Sequence, residues 1–207
     1  AVGVNGNHGI VIDLKDTNPE GWENDKKPEL KSATDAIIYE MHVRDLTIDK
    51  NSGVSDFYKG KFKGLVEENT TIPNTTVKTG LAHLKELGIT HVHLLPSFDF
   101  ASIDESRLNE PQYNWGYDPK NYNALEGSYS TNPYIGEVRI KEFKEMVQKL
   151  HKSGIRVVMD VVYNHTYDLN SWLNLIVPKY YYRQDKDGNY SDASACGNET
   201  ASDRYMF

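Results

Sequence analysis

A single cysteine, Cys196, stands in 207 residues. It excludes an internal disulfide and leaves no cysteine framework for a metal. No apolar run is long enough to span a membrane, so no membrane partner is expected. No Lys/Arg run suggests a phosphate track, and the net charge is −7 with a pI near 5.5. That balance argues against nucleic acid as the main partner. No Gly-rich phosphate loop follows any strand-like run, which speaks against a nucleotide-binding sheet. No secretory leader is visible at the opening AVGVNG, whose abrupt start reads as an excerpt. Composition leaves the compartment open.

Aromatic residues are plentiful, at 11% with 14 Tyr. Their faces stack on sugar rings as readily as they fill cores. The stretch that organises the chain is Ile155 to Thr166, IRVVMDVVYNHT. Its almost unbroken β-branched run reads as a strand buried on both faces, as in a parallel sheet under helices. Asp160 interrupts the run, and Asn164 and His165 cluster at its C-terminal end. A carboxylate in such a place needs a partner. The C-terminal ends of parallel strands are where α/β barrels carry their chemistry.

Taken in order, Ile10 to Leu14 predicts one short strand, and the polar stretch after it an extended connector. AIIYEMHV, 36–43, predicts the first convincing strand. Val77, Leu81, Leu84 and Leu87 form a helical stripe over 77–88, closed by Gly88. ITHVHLLP, 89–96, predicts the second strand. Phe143, Met146, Val147 and Leu150 line one face of a helix over 137–153, stopped by Gly154. The third strand is 155–162. Crossovers long enough to hold a helix imply parallel strands. The fold class is therefore α/β, with a flavodoxin-like or Rossmann sheet as the alternative to a barrel. A closed eight-stranded barrel needs roughly 250 residues, so three units would be only its opening portion.

The loop after the second strand, about 97–136, holds QYNWGYDP, Gln112 to Pro119. Past His165, PKYYYRQDKDGNYSD reads as a hairpin turning at Asp187-Gly188. Asp185, Asp187 and Asn189 do not have the glycine and closing Glu of a calcium loop, so a plain turn is expected.

D-V-V-Y-N-H at 160–165 resembles a strand-end motif of the α-amylase superfamily, and YNWGYDP resembles the signature of its debranching members, the type I pullulanases. IYEMHVRD is similar to their first barrel strand, and Cys196 to Glu199 to their third loop. AVGVNG…NPEGW is similar to what precedes their barrel, so the resemblance covers nearly the whole chain. It implies a (β/α)8 barrel begun at residue 36 and incomplete at 207. Residues 1–35 would be the end of a preceding β-sandwich-like domain and a linker. It also implies cleavage of α-1,6-glucosidic linkages in pullulan, starch or glycogen with retention. An isoamylase, a branching enzyme and a non-catalytic α-glucan-binding module stay open beside that reading.

Retention takes two carboxyl groups roughly 5 Å apart. In the resembled family these come from the fourth and fifth strands, so no catalytic residue is expected before Phe207. The remaining strands are thus a required partner, in the same chain or as a second piece. Asp160 matches a carboxylate that orients an arginine of the next strand. His165 would hydrogen-bond a hydroxyl of the sugar, and Tyr117 would stack on its ring. Asn164 would brace the loop, Asp118 would hold it, and Trp115 would anchor it. The resemblance implies no required cofactor. The residue matching Asn164 binds calcium in some amylases, so calcium stays open.

Overall fold

The computed structural model describes residues 1–207. Three short strands, β1 (Ile38–Met41), β2 (His91–Leu94) and β5 (Arg156–Met159), form one parallel sheet in the order β1-β2-β5. Ile38 pairs with His91 and His91 with Arg156, so the strands run in step. The parallel start is as the sequence predicts, and the strand order is not the 2-1-3 of a flavodoxin-like sheet. Each strand is shorter at both ends than its apolar run.

The crossovers carry helices α2 (Gly80–Leu87) and α3 (Gly136–Lys152). Both end in the same way. Gly88 and Gly154 adopt φ of +70° and +80°, a conformation that costs a side-chain-bearing residue about 1–2 kcal/mol. The turn at each glycine sends the chain straight into the next strand. Val77 lies before α2 and is exposed, so the apolar stripe of that helix is carried by Leu81 and Leu84.

The core forms on one face of the sheet. Val92 and Leu94 of β2 pack with Leu81, Leu84, Met146 and Leu150, all 0–1% exposed. Burial of each such side chain contributes roughly 2 kcal/mol. The other face is open. Ile38, Glu40, His93 and Val158 share it by register and alternation, and Ile38 is 59% and Val158 38% exposed. The third strand is therefore covered on one face, not on both. Most of that side, which would face a barrel axis, is uncovered within this chain, although His91 at its start is only 9% exposed.

A second sheet was not foreseen. β3 (Phe98–Phe100) and β4 (Pro119–Leu125) pair antiparallel inside the segment expected to be loop. Two short helices complete the chain, α1 (Phe62–Leu65) and α4 (Trp172–Ile176). No helix is long and apolar enough to cross a membrane. The expected hairpin is reduced to one bridge, Gln184 with Tyr190. Asp185 accepts the Asp187 and Asn189 N–H groups there, as in a plain turn.

The strand expected at Ile10 to Leu14 does not form. Val11 is fully exposed and has no strand beside it, and Leu14–Thr17 is a single 3-10 turn capped by Asp13. The segment docks on α3 instead. Lys144 donates to the Leu14 carbonyl and Asn18, Gln148 to the Glu20 carbonyl, and His151 meets Asp25 at 2.6 Å. Residues 144, 148 and 151 fall on one helix face, so a single polar stripe of α3 holds the connector.

Candidate functional site

The loop entering β4 crosses the C-terminal end of the parallel sheet. Asn114 begins a tight turn in which its side chain accepts the Gly116 N–H at 2.7 Å and donates to Asp118 at 2.6 Å. Gly116 has φ of +93°, and a Cβ there would press into the Pro96 carbonyl. Glycine is required on both counts. Asp118 also accepts from the backbone N–H and the hydroxyl of Ser102. The turn delivers Tyr117 to the end of β5.

Two polar atoms of Tyr117 are engaged. Its hydroxyl donates to Asp160 at 2.7 Å, and its carbonyl faces His165 Nε2 at 2.9 Å. Desolvation, then the Asp160 carboxylate, pushes the phenol up to about 12, so it stays a donor at neutral pH. The ring itself remains 41% exposed. Tyr113 and Trp115, 50% and 60% exposed, continue the aromatic surface. With Tyr117 they border a shallow concavity of about 390 Å³ that Ser102, Asn114 and Asp118 complete. A deeper pocket of about 420 Å³ lies behind this loop, between it and the segment after β1. The exposed aromatic faces mark the shallow side as the place for a flat ligand.

Tyr117, Asp160 and His165 thus converge at one end of the sheet. Trp115 is exposed beside them. His165 is held inside this end of the sheet. The residue is 5% exposed, with Nε2 against the Tyr117 carbonyl and Nδ1 3.2 Å from Asn164 Oδ1. Both partners are oxygen acceptors, so the neutral ring donates to one of them at a time, and the ring fastens the Tyr117 turn to the end of β5. Asn164 is exposed, and its carbonyl accepts the Thr200 N–H.

Two sets of residues escaped the sequence reading. Asn198, 1% exposed, accepts the Thr166 N–H at 2.9 Å and donates to the Thr166 carbonyl at 2.7 Å. Its amide pairs with the chain next to His165 as a neighbouring strand would. In the sequence its place in CGNE carries only a resemblance, because no periodicity marks a residue that binds 32 positions away.

The second set is a buried charge cluster. Arg139 of α3, 0% exposed, meets Glu105 Oε2 at 3.2 Å and Asp99 Oδ1 at 3.7 Å. Glu126 joins Asp99 and Glu105 within reach of a common cation. Three carboxylates against one guanidinium cannot all ionise cheaply in a dry site. Burial raises Asp99 to about 6 and, with Glu105 and Asp99 nearby, Glu126 well above its ordinary range. Asn5 bonds Glu105 in both directions, so the cluster ties the N-terminal segment to β3, β4 and α3. The signal for it was present: Asp99 sits between two Phe in a strand, and Arg139 among the inward residues of α3.

Known proteins share this architecture. The sequence matches the family described as alpha amylase, catalytic domain, over residues 74–193. The chain belongs to the α-amylase family. Within this family the chain is 44% identical over 207 residues to the pullulanase of Bacillus subtilis, matching 100% of itself and 28% of that protein. Its structure superposes with a TM-score of 0.96 on the Paenibacillus barengoltzii pullulanase in complex with maltohexaose and alpha-cyclodextrin. That match has 57% identity and covers 99% of this chain and 32% of the other. For the Bacillus acidopullulyticus pullulanase the TM-score is 0.93 at 49% identity, over 100% and 25% of the two chains. The chain thus spans about a quarter to a third of the length of these relatives. Its parallel sheet is the corresponding part of an α-amylase catalytic domain.

Proposed function

We propose that residues 36–207 form the first three strand–helix units of a barrel that hydrolyses α-1,6-glucosidic linkages with retention, and that residues 1–35 lead in from a preceding β domain. The substrate class is a branched or α-1,6-linked α-glucan, such as pullulan, starch or glycogen. One observation carries the reading. An exposed aromatic platform is held rigid at the C-terminal strand ends by Asp160 and His165. Its neighbours in sequence and structure include pullulanases, one of them in complex with maltohexaose.

In this reading Tyr117 stacks on the sugar beside the scissile bond, and Trp115 and Tyr113 extend the contact. Apolar ring faces meet the C–H faces of the sugar. Asp160 orients Tyr117 and, on the open side, an arginine from the next strand. A sugar hydroxyl that reaches His165 shares Nε2 with the Tyr117 carbonyl. The nucleophile and the acid/base come from the fourth and fifth strands, which complete the open face of the sheet. No step needs a metal. In the carboxylate cluster of Asp99, Glu105 and Glu126 the Arg139 guanidinium is already the cation.

The test is the product pattern from pullulan of a polypeptide containing these residues and the later strands. Release of maltotriose supports the proposal. Activity on glycogen with pullulan untouched would make it an isoamylase, new branches a branching enzyme, and binding without turnover a glucan-binding module.

A further inference from the structure

The aromatic platform has a second anchor, on the far side from Asp160 and His165. His42 follows β1 directly and is 6% exposed. Its Nδ1 lies 3.3 Å from the Asp45 backbone nitrogen, which can only donate. That bond puts a lone pair on Nδ1, so the proton of the neutral ring sits on Nε2. Nε2 is 2.8 Å from the Asn114 carbonyl, and the Tyr129 hydroxyl is 3.1 Å away. The ring also packs against Tyr113 at 5.3 Å and edge-on against Tyr129 at 5.8 Å. The geometry points to His42 as a positioning residue for Tyr117, acting through the main chain of Asn114.

The connection is short. Asn114 is the residue whose side chain closes the turn onto Gly116 and Asp118, on either side of Tyr117. Its carbonyl is fixed by His42 from the end of β1, while Tyr117 is fixed by Asp160 at the end of β5. The loop is therefore strung between the first and third parallel strands. Neither anchor alone sets the pitch of the Tyr117 ring. Without the β1 anchor, the turn can pivot about the Asp160 and His165 contacts, and the face offered to the sugar tilts. Positioning of this kind matters because small misplacements of a contact beside the scissile bond cost rate out of proportion to the lost bond.

The functional part of this inference rests on the proposed glucan hydrolysis, so the test carries one readout that does not. In a polypeptide with the later strands, His42→Leu removes the donor. His42→Gln restores an N–H near the Nε2 position, and His42→Asn offers one only near Nδ1. Hydrogen exchange at the Gly116 amide should speed up about tenfold in His42→Leu and His42→Asn, the size of one lost hydrogen bond, and stay near wild type in His42→Gln. On pullulan, kcat/KM should fall by about tenfold or more in the first two and recover in His42→Gln. In a Tyr117→Ala background the same His42 changes should cost less than about twofold, because the residue they position is gone. If His42→Leu does not fold, His42→Asn against His42→Gln makes the same comparison. Equal losses with and without Tyr117, or no rescue by Gln, would overturn the inference. If wild type leaves pullulan intact, the proposed hydrolysis fails, and the exchange data still decide whether His42 sets the loop.

Discussion

Replacing Asn198 with Ala removes a side chain that does the work of a strand. Its amide satisfies both the N–H and the C=O of Thr166, a residue 3% exposed. Leaving one buried backbone group unpaired costs about 1–3 kcal/mol, and partial entry of water into the emptied site reduces the sum for two. The closed loop should thus lose roughly 2–4 kcal/mol. At tenfold per 1.4 kcal/mol, protection of the Thr166 amide against hydrogen exchange should drop by roughly 30- to 700-fold. The readout is site-specific, because Asn198 is the acceptor for that amide. Exchange at β2, whose amides pair within the sheet, serves as the control and should not change. Asn198→Asp keeps the acceptor and loses the donor, so it should fall between. Wild-type protection at Thr166 in folded Asn198→Ala would refute the claim that this side chain holds the chain beside His165.

Three further outcomes are expected. Asp99 has its folded pKa raised from 3.8 to about 6, so the folded protein holds a proton that the unfolded chain releases. Stability should decline as pH rises from about 4 to about 6 and level off above, by roughly 3 kcal/mol for this group, and Asp99→Asn should flatten that slope in thermal midpoints read against pH. Gly6→Ala should destabilise by more than about 1 kcal/mol, since Gly6 has φ of +63° and a Cβ would strike Asp99; faster exchange at the Asn5 amide, bonded to Glu105, would report it. Tyr117→Ala should weaken maltooligosaccharide binding by about tenfold in calorimetry, and Tyr117→Phe, which keeps the ring, by less.

The sequence made the parallel core legible because its signals are local. Leu81 and Leu84, or Met146 and Leu150, fall on one helix face by spacing alone, and Gly88 and Gly154 mark where each helix must stop. Tyr117, Asp160 and His165 were found because each stands in a short motif. What stayed hidden is non-local. Asn198 acts on Thr166, and Asn5 on Glu105, across distances that no periodicity encodes. The β3–β4 pair was hidden by its irregular register and by the turn-rich text between its strands. The strand expected at Ile10 failed because an apolar run becomes a strand only where a partner offers an edge. The burial of the His165 ring stayed hidden too, because it depends on how the Tyr117 loop folds over it.

The open face carrying Ile38, Glu40, His93 and Val158 is where the proposal is most exposed to test. In that proposal this segment binds and orients glucan, and the bond-breaking groups lie on strands that close the barrel. The measurement is reducing-sugar release from pullulan by the 207-residue chain alone, and by the same chain completed with the later strands. No turnover is expected from the chain alone, because residues that act as a catalytic unit lose several orders of magnitude when the acid and nucleophile are missing, and turnover is expected once they are supplied. Hydrolysis by the isolated chain, abolished by Asp160→Asn and indifferent to the added strands, would contradict it.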